Sequence, residues 1–353
     1  MLTRQDSKMA QGLGILGMLC LHLFCQTGEL PYAPIIWIGK LPLIYYIGLF
    51  GDLCVPVFCF SSGYAQRLLY VKKPQDFLKN SGTRILRFIT HFWIVVCLFT
   101  VVGMVIGHAA IPGSFSKFAG NMLLFNLSYN GAWWFVVTYV LLIFMTIPFD
   151  KLQSRFSPIL VLLGSGVIYF IAYIFRFVFV FDIPNKVLSW VWNQLMLLGT
   201  SQFSYIVGML FHKHRIMDYL RAWYKKHPIC CKIVILLLPI AMFFLHCAEP
   251  SLIIAPITGL TTLVCFHLWE KPNAIKIFFE FLGKHSTNLW LIHMFFYMSM
   301  FPNLIFVFRL PLASLLILLV ACIGTSYIIE GIECAIKMLI SQLEKLQINK
   351  KLF

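Results

Sequence analysis

The sequence predicts an all-α polytopic membrane protein of about ten transmembrane helices, with both termini in the cytoplasm. Three observations predict it. The 353 residues are 60% hydrophobic and only 12% charged, about half the charge of a typical soluble domain. Apolar segments of about twenty residues recur along the chain, each able to cross a hydrocarbon core of about 30 Å. With the N-terminus set on the inside, all but five of the 28 Lys and Arg fall in the inner loops or at the inner ends of spans, which is the positive-inside bias. The exceptions are Lys40, Lys117, Arg176, Lys186 and Arg309. The apolar runs are continuous rather than alternating, which argues against a barrel. A spanning segment must satisfy its own backbone, so helices are the default.

The spans are expected at residues 9–25, 43–69, 85–107, 133–149, 159–181, 195–211, 229–247, 252–268, 286–302 and 312–339. The first follows Arg4 and Lys8 like a signal sequence, but no small-residue cleavage site follows it, so an uncleaved helix is expected. Residues 118–127 are apolar but short and fit an interfacial or re-entrant segment. The whole chain, 1–353, reads as a single transmembrane domain.

The net charge of +15 is topological and does not point to nucleic acid. Eleven cysteines fall mostly in spans without a CxxC, so neither a disulfide framework nor a metal site is expected. Cys20, His22 and Cys25 look superficially like a metal cluster. On a helix, however, Cys20 and His22 face about 200° apart.

Ionisable groups at membrane depth are functional candidates. His22 lies fourteen residues past Lys8, about 21 Å along a helix, and Asp52 reaches a comparable depth on the second span. Asp52 is therefore expected to pair with His22 and orient it. The plainer reading is that His22 hydrogen-bonds a neighbouring helix.

Five segments then occur in order: SKMAQGLGILGMLCLHLF (7–24), VPVFCFSSGYA (55–65), RILRF (84–88), NGAWWFVVTYVLL (130–142) and STNLWLIHMFF (286–296). Together they resemble the acyltransferase-3 family of membrane O-acyltransferases, over nearly the whole chain. The resemblance implies an essential histidine at His22, a Ser-Gly-Tyr element at Ser62, Gly63 and Tyr64, and an Arg-x-x-Arg pair at Arg84 and Arg87. It implies transfer of an acyl group, often acetyl, from cytoplasmic acyl-CoA to a hydroxyl across the membrane. The acceptor would be a surface polysaccharide or another glycan or lipid, and the setting a bacterial plasma membrane. One departure stands out. The family usually has a basic residue about three turns before the histidine, where this chain has Gln11; Lys8 is the nearest substitute.

The chemistry fits those residues. Arg84 and Arg87, three apart, share a helix face and form a fork for phosphate, or serve topology alone. An imidazole suits removal of a hydroxyl proton, or His22 carries the acyl group itself. Ser61, Ser62 and the backbone at Gly63 are candidate oxyanion donors, or small residues for tight packing. Pro56 should kink the second span. His293, expected about 10 Å from the inner face, would contact the pantetheine arm or simply pack. Trp133 and Trp134 would stack on a sugar or anchor at the interface. Arg176 either snorkels or contacts substrate, and snorkelling is the favoured expectation. His212, His214 and His227 are expected at the surface, and Glu330 and Glu333 in solvent.

Two other functions remain open at this stage: a glycan or lipid transporter or flippase, and a non-catalytic membrane subunit. A homo-oligomer is compatible with the acyltransferase reading and with both alternatives.

Overall fold

The computed structural model describes the backbone of residues 1–351 and the side chains of residues 1–343. The side chains of Lys345, Lys350 and Lys351, counted above among the inner cations, lie outside the described residues. The described chain is mostly helical: α1 (Arg4–Phe24), α2 (Leu43–Phe50), α3 (Cys54–Lys72), α4 (Phe77–Val105), α5 (Phe115–Met122), α6 (Trp134–Arg155), α7 (Pro158–Phe177), α8 (Lys186–Lys213), α9 (Ile216–Lys226), α10 (Pro228–Ala248), α11 (Ala255–Leu268), α12 (Asn273–Met294), α13 (Pro302–Ile305) and α14 (Pro311–Lys351). A two-residue antiparallel hairpin, Trp37–Ile38 with Leu41–Pro42, leads into α2.

Among the described residues, eight segments are long and apolar enough to cross a membrane: Arg4–Phe24, Leu43–Lys72, Phe77–Val105, Gly131–Arg155, Pro158–Phe177, Lys186–Lys213, Pro228–Ala248 and Pro311–Leu343. Of the remaining expected spans, α11 has only 14 residues. The last-but-one begins at Asn273 rather than at 286. Its first turns carry Lys276, Glu280 and Lys284, so an apolar window starts it too late. The short segment at 118–127 becomes α5, eight residues long. Between α8 and α10, a stretch expected to be loop forms α9. It exposes Tyr219 and Trp223 and ends in Lys225 and Lys226, the composition of an interfacial helix. The face that holds the N-terminus is called inner below.

Two helix contacts build the frame of the site. Gly12 of α1 and Gly283 of α12 each lie against the other helix's backbone, at Phe279 and Lys8. Gly63 of α3 and Gly208 of α8 do the same, at Tyr205 and Phe60. In each case a Cβ would sit inside contact distance of a backbone carbonyl oxygen. Lipid offers little hydrophobic drive between helices, so small residues that let backbones meet are the main means of pairing them. Gly63 and Tyr64 are thereby accounted for structurally. Gly63 faces α8, and the Tyr64 hydroxyl accepts the Leu2 N–H at 2.8 Å while its ring meets His212.

The second span is broken where the proline predicts. Pro56 has no N–H to give to the carbonyl four residues back, and that carbonyl belongs to Asp52. The chain tightens into a 3-10 turn at Gly51–Leu53, which turns Asp52 into the interior.

A second irregularity follows α12. Residues Phe295–Met300 wind as a π turn, which lengthens the hydrogen-bond step and frees α-helical carbonyls. The Leu291 carbonyl is taken instead by Asn130 Nδ2 at 2.8 Å and Trp133 Nε1 at 2.9 Å. Trp133 is fully buried and packs edge-on against Phe92 at 4.9 Å. It is neither a sugar platform nor an interface anchor: it fixes the end of α12 that carries His293.

Candidate active site

A cavity of about 440 Å³ runs through the helices at membrane depth. Its inner end is lined by Ser7 and Gln11 of α1, Gln66 of α3 and Arg84 of α4. Its other end reaches His22, Asp52, Trp134 and Arg176. From Ser7 to His22 is about 22 Å along α1. A second cavity of about 610 Å³ lies beyond, lined among others by Gln26, Glu29, Tyr297 and Met298. His22 and Leu21 line both, so His22 stands at the junction.

His22 does not pair with Asp52. Its neighbour is His293, with ring centroids 5.0 Å apart. The Asp52 carboxylate instead faces His246 of α10, with Oδ2 3.4 Å from Nε2. His246 is fully buried and its Nδ1 meets Thr258 Oγ1 at 3.2 Å. Equal depth had suggested the pairing, but depth does not determine which way a residue faces around its helix.

His293 is also not where the sequence put it. With α12 starting at Asn273, His293 lies about 30 Å along the helix, near the outer end. It is completely buried. Its Nδ1–H donates to the Trp290 carbonyl at 2.9 Å and towards that of Leu289 at 3.2 Å. Carbonyls only accept, so the proton sits on Nδ1 and Nε2 keeps its lone pair. Nε2 has no partner among the described residues. Tyr297 stacks on the other side at 5.9 Å.

At the inner end, the expected arginine fork separates. Arg84 lines the cavity; its Nη2 donates to Ser81 Oγ at 2.8 Å and Gln66 Oε1 at 3.2 Å. Its Nε is buried without an acceptor. Arg87 is exposed and outside the cavity lining. Three residues of separation leave about 60° between the two side chains, enough here to place one inside and one outside. Gln11 does line the cavity, whereas Lys8 does not: its Nζ donates to the Gly283 carbonyl at 3.2 Å. Lys8 therefore caps the α1–α12 contact and does not replace a cation at Gln11.

Ser61 and Ser62 both line the cavity, and the Ser62 hydroxyl is buried without a partner. Trp134 lines it as well. Three further placements differ from expectation. Arg176 turns into the cavity instead of snorkelling. His212 is buried and bonded to Arg67 Nη1 at 2.8 Å. Glu333 bonds His91 Nδ1 at 2.5 Å. His246, Tyr169, Tyr173 and Thr200, which carry much of the polar lining and its support, were missed. They come from three different helices, and only the tertiary fold brings them together.

The fold and the site define a class: a helical membrane protein with an imidazole set between two cavities. Residues 7–331 match the family model described as an acyltransferase domain, and the chain belongs to the acyltransferase-3 family. No curated protein and no solved structure matches the chain.

Proposed function

We propose that this acyltransferase takes an acyl group, acetyl in the simplest case, from cytoplasmic acyl-CoA and delivers it to a hydroxyl on a surface glycan or lipid-linked acceptor. The observation that carries this reading is the position of His22, which lines both cavities. The thioester enters from the inner end, where Arg84 offers a buried donor without an acceptor, and the acceptor hydroxyl comes from the other. Arg84 meets a phosphate of the donor, and Gln66, Ser61 and Ser62 line the path of its arm.

The chemistry is an alcoholysis. The C–S bond of the thioester breaks and a C–O bond forms. The proton leaves the hydroxyl and ends on the coenzyme A sulfur, so no net proton is consumed. His22 takes that proton as general base, or forms an acyl-imidazole first and hands the group on. His293 touches His22 and is held by its Nδ1–H; it positions the ring in the role first given to Asp52. The Ser62 hydroxyl, buried on the cavity wall without a partner, is an unspent donor for an oxyanion. A titratable imidazole in the lining of both cavities supports this reading.

The test is base-labile ester on the envelope polysaccharides of producing cells. Wild type, His22→Ala and empty vector are compared at matched expression. A general base contributes about 10²–10⁴-fold, so ester is expected with wild type alone. Equal ester in all three would remove His22 from the reaction.

A further inference from the structure

Three charged side chains line the membrane cavity: Asp52, Arg84 and Arg176. The donor reading uses Arg84, and Asp52 has His246 beside it. Arg176 is left. It lies in the last turn of α7, about 27 Å from that helix's inner end, whereas Arg84 is about 10 Å from the start of α4. The two cations therefore stand at opposite ends of the cavity.

The Arg176 guanidinium lies 5.4 Å from the Trp134 ring centre and 4.7 Å from that of Phe177. Its Nη1 donates to Thr200 Oγ1 at 3.2 Å, whose own proton goes to the Met196 or Leu197 carbonyl. A guanidinium has five N–H donors. Among the described residues, this is its one hydrogen bond, and no carboxylate lies within 4.0 Å of it. A cation at membrane depth without a counter-charge is expensive. Helix C-terminal carbonyls and two ring faces offset part of that expense but leave the fork open. Beside it, the Tyr173 hydroxyl is engaged with Ser251 Oγ at 2.7 Å and supplies a polar wall, while Trp134 supplies a flat one.

We propose that Arg176, with Trp134, Thr200 and Tyr173, binds an oxyanion carried by the acceptor, either a sugar carboxylate or a sugar phosphate. A planar fork matches both groups in two-point geometry, and an indole beside it suits the face of the attached sugar. The acceptor is then selected by charge at one end of the cavity and acylated at His22. The word acceptor rests on the acyltransferase reading; the anion site does not.

The test uses purified protein in nanodiscs and four probes by calorimetry: glucose, glucuronate, glucose 1-phosphate and coenzyme A. Wild type is expected to bind one or both anionic sugars at least about tenfold more tightly than glucose. Arg176→Gln should erase that preference and leave coenzyme A affinity unchanged, while Arg176→Lys retains part of it. Which anion wins separates the carboxylate from the phosphate source. No preference in wild type, or a preference that survives in Arg176→Gln, overturns the site. So does loss of coenzyme A affinity together with the preference, which would mark Arg176 as structural. If coenzyme A fails to bind wild type while an Arg176-dependent preference persists, the donor reading falls and the anion site stands.

Discussion

Replacing Arg84 by Gln should weaken the donor and spare the chemistry. Both protons of Nη2 are spent on Ser81 and Gln66, whereas Nε is buried without an acceptor. A hydrogen bond to a charged group contributes about 1.5–3 kcal/mol, which is about 10- to 150-fold in affinity. The KM for acyl-CoA should therefore rise by about that factor, with kcat within about threefold, because Arg84 and His22 line opposite ends of the cavity. Arg87 is exposed, and exposed ion pairs contribute about 0.2–1 kcal/mol. Arg87→Gln should thus cost about 1.4- to fivefold, and added salt should erase the difference. The assay is transfer from radiolabelled acetyl-CoA in proteoliposomes, with coenzyme A binding measured alongside. Equal losses in the two variants, or a fall in kcat at unchanged KM for Arg84→Gln, would refute the reasoning.

Two further expectations concern stability. Gly63→Ala places a methyl on the Tyr205 carbonyl and should destabilise by about 1–3 kcal/mol. Gly82→Ala meets nothing within 4 Å and should be neutral or stabilising by up to about 1 kcal/mol; denaturation midpoints in one detergent compare the two. Lys271, in the turn between α11 and α12, donates to the carbonyls of Phe266 and Trp269, and burial pushes its ammonium down from 10.5 to about 8. Its charge then burdens the fold fully below about pH 8. Between about 8 and 10.5 the unfolded chain holds the proton and the folded one does not, so stability should rise with pH across that window. Lys271→Met should flatten that rise in melting curves; an unchanged slope would exclude Lys271 as its source.

Much of this architecture is legible in the sequence because the bilayer imposes it. Length and hydropathy locate the apolar helices, and His22 stands out as a polar group in an apolar run. Pro56 predicts the break that turns Asp52 inward. What fails is rotation about the helix axis and the extent of helices with charged ends. Asp52 and His22 match in depth yet face different neighbours. His293 was placed too near the inner face because Lys276, Glu280 and Lys284 hid the first turns of α12. Arg87, Lys8, Gly63 and Tyr64 sit within functional-looking motifs but face solvent or a neighbouring backbone. Trp133 illustrates the same limit: a tryptophan at a helix end reads as an anchor until the free Leu291 carbonyl appears beside it.

The rearranged partners bear on how His22 works. A carboxylate beside an imidazole would stabilise the imidazolium and hold it after it takes a proton. Here the contact is another imidazole, its Nδ1–H already committed to backbone carbonyls, and the nearest carboxylate on the cavity wall is turned towards His246. Alcoholysis asks only for a relay at that ring, because the proton taken from the hydroxyl must pass on to the departing thiolate within the same turnover. The charges that bind phosphate and anion then belong at the two ends of the cavity, at Arg84 and Arg176.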